Sequence, residues 1–141
     1  MMRLLWTWTL LLAAGTATAQ SREHWMRLCQ ERTEEPAAIQ FSLCTAQYVD
    51  VLCKNQSDLL KKVRAKMRAS RDEGVKPESA VRHLETSQRR WAEYVAEHCL
   101  IAEDMFGLGN AAGSVYPSCM AAEYELRNTQ LRRMLVDDYW R

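Results

Sequence analysis

Proline and glycine are scarce in this chain, 3 and 5 of 141 residues, which excludes a collagen-like or low-complexity disordered protein. With 48% hydrophobic and 26% charged residues, the composition suits one compact domain. No apolar run after residue 19 approaches the roughly eighteen residues that a membrane-spanning helix needs, so a polytopic membrane protein is excluded. Strand-like alternation bounded by turn residues is missing, as is any internal repeat. There is no C-x-x-C, which argues against a thioredoxin-type site and a zinc ribbon, and no H-E-x-x-H joins His24, His83 and His98 into a metal site. Neither sign of charge dominates. Lys and Arg number 19 and Asp and Glu 18; Arg3 is the only charge before Gln20, so a chain starting there carries 18 of each and a net charge of zero. A nucleic acid is therefore not expected as a partner.

What the chain does have begins with an export signal. Arg3 supplies a minimal basic start, Leu4 to Ala14 an apolar stretch too short to span a bilayer comfortably, and Ala17-Thr18-Ala19 the small-residue pattern that signal peptidase accepts. Residues 1–19 are read as a signal peptide, and removing those 19 of 141 residues leaves a domain of 122, from Gln20 to Arg141. That domain is expected to be soluble, and periplasmic or secreted, with no stable membrane insertion.

The mature part reads as helices throughout. After Pro36, Phe41, Cys44, Tyr48, Val51 or Leu52, Leu59, Val63 and Met67 recur at steps of three and four, which predicts one long amphipathic helix ending near Arg71 to Gly74, with Gly74 as a left-handed cap. A second helix opens around Pro77. Its seam is nearly heptad: Val81, Leu84, Gln88, Trp91, Val95, His98, Ala102, Met105. Phe106 to Pro117 reads as a loop, and Pro117 as the mark of a new start. A last helix is expected from about Ser118 to near Asp138, with Met120, Tyr124, Arg127, Leu131 and Met134 or Leu135 on its stripe. With a short N-terminal helical piece around Arg22 to Glu31, the expected fold is all-α: a small antiparallel bundle of three main helices and one short one, stapled by disulfides.

Five cysteines in an exported chain should pair, with one left over. Cys99 and Cys119 flank the expected loop between two antiparallel helices, and their pairing is favoured. Cys44 and Cys53 are nine residues apart, which sets them on opposite faces of one helix and forbids a bond between them. Cys29 can meet one of the two; Cys44, which shares the stripe with Tyr48, is favoured over Cys53. Cys53 is then the free thiol, read first as a small buried hydrophobe and second as a site of intermolecular pairing.

Catalytic readings are weak. Glu97-His98-Cys99 places acid, imidazole and thiol in succession, but neighbours on a helix point about 100° apart. Gly107-Leu108-Gly109 with Gly113 has the wrong spacing for a dinucleotide loop and follows a helix rather than a strand. No enzyme, cofactor or metal is expected.

The residues that carry a resemblance are Leu84, Ser87, Gln88, Arg89, Trp91 and Tyr94, then Cys99, Gly113-Ser114, Cys119, Arg127 and Leu131. In this order they are similar to the LprI-like family of small secreted bacterial domains, named for lysozyme inhibition. That family's core pattern runs approximately L-x-x-(S/A)-Q-R-x-W-x-x-(Y/F)-R-D-x-x-C, a loop containing G-S, then a second Cys before T-x-x-R-x-x-x-L. The chain departs from it where Val95-Ala96 stands for Arg-Asp and Tyr124 for Thr, so it resembles a divergent member. Cys29 and Cys44 fit the family's first cysteine pair.

Gln88 and Arg127 fall on facing seams, where an amide and a guanidinium can bond across an apolar interface; with Arg89 and Trp91 they are read as a buried polar clamp. A basic half-helix from Lys61 to Arg71 is read as a solvated face, with contact to anionic envelope polymers as the alternative. Glu31, Glu34 and Glu35 form an acidic cluster read either as complementary to basic lysozymes or as an ordinary acidic run at the positive end of a helix dipole. The resemblance implies a binding protein that inhibits lysozyme-type muramidases by occlusion. The candidate contact surface is the glycine-rich stretch with Gly107, Gly109, Asn110, Gly113, Ser114 and Tyr116. The alternative is an envelope accessory protein that binds another envelope protein or polymer and leaves lysozyme unaffected.

Overall fold

The computed structural model describes His24, Trp25, Arg27 and residues 37–106 and 112–136. Three long helices account for nearly all of these: α1 is Ala37–Ala69, α2 Pro77–Phe106 and α3 Ala112–Arg133. Helix α1 has 33 residues, which at 1.5 Å per residue makes a rod of about 50 Å. It ends at Ala69, two residues short of the expected stretch Arg71 to Gly74, and Gly74 turns the chain at φ 80°, a value that favours a residue without a Cβ. Helix α2 opens at Pro77, whose missing N–H costs nothing in a first turn, with Glu78 beside the positive end of the helix dipole. Of the short helix expected around residues 22–31, only His24, Trp25 and Arg27 are described; the signal segment, Cys29 and the Glu31, Glu34, Glu35 cluster lie outside the described residues.

The core follows the stripes. Cys44, Tyr48, Leu52, Leu60 and Val63 are buried on α1, Val81, Leu84, Val95 and Cys99 on α2, and Ala121 and Leu131 on α3. One group (Leu60, Val63, Leu84, Leu131) fills the end where α1 meets α2; a second (Tyr48, Leu52, Ala121) fills the α1–α3 face, with Trp25 packed on it, its ring 5.7 Å from that of Tyr48. Helix α1 packs more extensively on α3 than on α2. Lys66 Nζ donates to Leu135 O at 2.8 Å, placing a cation on a carbonyl just past the end of α3.

Three expectations need correction. The heptad seam of α2 holds through Val95, but Cys99 rather than His98 is the next buried position, and Met105 is 81% exposed. A straight α-helix of 3.6 residues per turn drifts about 20° per heptad against a 3.5 repeat, so a heptad extrapolated over three repeats leaves the core. Of the adjacent Leu59 and Leu60 on α1, Leu60 is the buried one, and Leu59 packs half-buried against the same cluster. The third correction concerns α3, which begins at Ala112, five residues before Pro117, and ends at Arg133 rather than near Asp138. Proline lacks the N–H that would bond Gly113 O four residues back, and its ring pushes that carbonyl aside. Ser42 on α1 repairs this: its Oγ donates to Gly113 O at 2.6 Å. The helix therefore runs through the proline with help from another helix.

Candidate functional site

The described residues bring together a polar network between the three helices. Arg127 on α3, 9% exposed, donates from Nε to Gln88 Oε1 at 3.0 Å and from Nη1 to Gln130 Oε1 at 3.1 Å; Nη2 reaches Ser87 Oγ at 3.3 Å. A guanidinium can only donate, so Gln88 must present its oxygen to Arg127 and its amide N–H to the other side. There Gln88 Nε2 donates to Gln56 Oε1 at 2.8 Å, so a directional relay crosses from α3 through α2 to α1. One turn back from Gln56, Leu52 O accepts from Asn128 Nδ2 at 3.0 Å, and Asn128 is wholly buried.

Aromatic rings cover the relay. The guanidinium carbon of Arg127 lies 5.8 Å from the Trp91 ring centroid, and Tyr124 meets Trp91 edge to face at 5.1 Å. Burial first, then Cys53 through charge and hydrogen bonding, then Tyr116, push the Tyr124 phenol above its ordinary 10.0. On the other flank Tyr48 donates its hydroxyl to Glu125 Oε1 at 2.7 Å.

Of the residues expected in the clamp, Gln88, Trp91 and Arg127 meet, whereas Arg89 is exposed. Gln56 and Asn128 were missed by the sequence reading. Gln56 left a signal, a polar residue one turn beyond Leu52 on an otherwise apolar stripe; Asn128 left none, since it lies beside the stripe as it was drawn. Cys99 and Cys119 are bonded, with Cα atoms 5.5 Å apart. Cys44 is disulfide-bonded, and Cys29, its expected mate, lies outside the described residues. Cys53 is the free thiol. It is exposed, which corrects the reading of a buried hydrophobe: nine residues from buried Cys44, it faces the opposite way.

The expected contact loop is also redrawn. Gly113, Ser114 and Tyr116 belong to the first turns of α3, and Gly107, Gly109 and Asn110 lie outside the described residues. His98 stacks on Tyr94, centroids 5.3 Å apart, and sits 3.9 Å from Glu123, while its neighbour Cys99 is tied up in the disulfide. On the basic half-helix, Lys61 pairs with Asp58 on its own helix, and Arg64 and Arg68 reach Glu85 and Glu78 on α2 at 3.4 and 3.6 Å. Among the described residues no group of three His, Cys, Asp or Glu is placed to hold a metal ion, and no helix is long and apolar enough to cross a membrane.

Fold and network together define a class: a small all-helical domain with a disulfide and a polar network, Gln56–Gln88–Arg127, that joins its three helices. The family described as "Lysozyme inhibitor LprI" matches residues 29–133, and the chain belongs to it. No curated protein and no solved structure matches the chain.

Proposed function

We propose that the protein is exported, loses residues 1–19, and acts outside the cytoplasm as a binding protein that inhibits lysozyme-type muramidases by occluding them. The observation that carries this reading is the family match over residues 29–133, which spans all three helices and both cysteines of the Cys99–Cys119 bond. In this reading the Gln56–Gln88–Arg127 relay is a clamp that fixes helix register, because the guanidinium donors point at neighbouring side chains rather than outward. A second bond, Cys29–Cys44, ties the N-terminal piece to α1. Inhibition by occlusion needs a rigid surface rather than a reacting group, since ordering flexible segments on binding subtracts from affinity.

The test titrates the oxidised protein into lysozymes of several classes, following cell-wall clearing together with direct binding. Saturable inhibition that tracks binding is the expected result. Absence of binding to every class would overturn the reading.

A further inference from the structure

Charge is divided along the bundle. At the disulfide end, residues 37–52, 91–106 and 112–126 contain no Lys or Arg at all. Helix α2 contributes Glu93, Glu97, Glu103 and Asp104 there, and the two other helices add Asp50, Glu123 and Glu125, a formal charge of −7. The opposite end, residues 53–90 and 127–136, holds 14 Lys and Arg against 5 Asp and Glu, a formal charge of +9. Two regions of opposite sign thus sit in a chain whose net charge is only +1.

Exposed apolar side chains gather at the acidic end. Tyr94, Ile101 and Met105 are 57%, 61% and 81% exposed. At 100° per residue the three lie within about 20° of one line along α2, roughly a third of a turn from its buried face at Val95 and Cys99. Glu93, Glu97 and Asp104 border this line on one side; on the other, His98 leans toward Glu123 of α3. Leu100 and Phe106 are exposed at the same end, at 43% and 54%, but each lies about 120° around α2 from this line. The basic end has little to match: of its described residues only Val75 and Val136 are large, apolar and exposed.

We propose that this face of α2 is the docking surface for a cationic protein, with the Tyr94–Ile101–Met105 line as the apolar centre and the carboxylates as its rim. The identification of that partner as a muramidase rests on the function proposed above; the sign of its charge does not. A rim of one sign speeds and orients encounter, while apolar centre contacts set residence time. A partner with a basic rim around an exposed apolar spot meets both requirements. A second copy offers its basic end without comparable apolar surface, and such a head-to-tail contact would not close.

Binding kinetics separate these possibilities. Three variants are compared with the unaltered oxidised protein: E93Q/E97Q/D104N, Y94A/I101A/M105A, and K61Q/K62Q/R68Q as a control at the basic end. The probes are a basic lysozyme and a cationic amphipathic Lys/Leu peptide. The expected result is a tenfold or greater fall in association rate for the first variant, a tenfold or greater rise in dissociation rate for the second, and less than a twofold change for the control. Lysozyme binding that survives both α2 variants overturns the surface and leaves the proposed function standing. Peptide binding lost in both variants, with no lysozyme bound, sustains the surface and removes the muramidase. Binding of neither probe overturns both. Concentration-dependent self-association in sedimentation, abolished by the α2 variants, overturns the foreign partner in favour of a second copy.

Discussion

Pro117 leaves the Gly113 carbonyl without the N–H four residues on that would ordinarily bond it, and Ser42, 71 residues earlier, supplies a donor. Replacing Ser42 by Ala is expected to cost about 1 kcal/mol, the usual net value of such a bond. In a P117A background the helix regains its own donor, and the same S42A change is expected to cost markedly less; a double-mutant cycle in urea measures the difference. Equal costs in both backgrounds would mean that Ser42 does not serve the proline. Local reading could not find this partnership. Proline and three glycines within Phe106 to Pro117 signal a loop on composition, and the group that rescues the helix sits on α1.

Tyr124 and Cys53 make a second residue-scale case. The phenol's pKa is raised in the folded protein, so the folded state holds its proton at pH values where the unfolded chain has lost it. The resulting stability is complete below pH 10.0 and declines as pH rises from there through the folded value. Phenolate absorbance should include a late-titrating component from Tyr124. Y124F should remove that component, and C53S should lower it only part-way, because burial is the largest cause. In the unreduced protein a thiol reagent should find one thiol per chain, native or denatured, if Cys29 and Cys44 are bonded; three thiols on denaturation would refute that bond.

At the scale of elements, the relay predicts an asymmetry. Arg127→Met leaves Gln88 Oε1 without its donor in a partly dry interface, at an expected cost of about 2–3 kcal/mol. Removing the relay altogether, in R127M/Q88L/Q56L, should recover much of that loss, since apolar replacement of a whole buried polar set is often close to neutral. Urea midpoints at unchanged m-values decide it, and a triple variant less stable than R127M would sink the clamp reading. Leu131, fully buried on the same helix, should cost about 3 kcal/mol as Ala, whereas Leu126, 56% exposed, should stay within about 0.5 kcal/mol. The stripes that form these helices were legible, because periodicity records which face is buried. Exact positions were less so. Cys99 in place of His98, and exposed Met105, follow from the pitch of a straight helix, which a repeat counted in whole residues does not capture.

Across the whole molecule, the Cys99–Cys119 bond closes a segment whose ends are 20 residues apart, and its loss as C99S/C119S should cost about 3 kcal/mol in the loop-entropy description. The bond also pins α2 to α3 at the end where residues 37–52, 91–106 and 112–126 carry no Lys or Arg. Sequence reading registered a balanced composition and took it as evidence against a nucleic acid as partner. The total was right, but its distribution appears only when antiparallel packing sets the first half of α1 beside the second half of α2 and the first half of α3. A net charge near zero predicts weak retention on ion exchangers of either sign; segregated charge predicts retention on both, since each resin meets the end that suits it. At neutral pH and low salt the protein should therefore bind anion and cation exchangers alike. The E93Q/E97Q/D104N variant should lose the first and keep the second, and K61Q/K62Q/R68Q should weaken only the second. Passage of the unaltered protein through both columns would show that ions or the chain's own ends neutralise the two regions, and that the field at the α2 face is too weak to steer a partner.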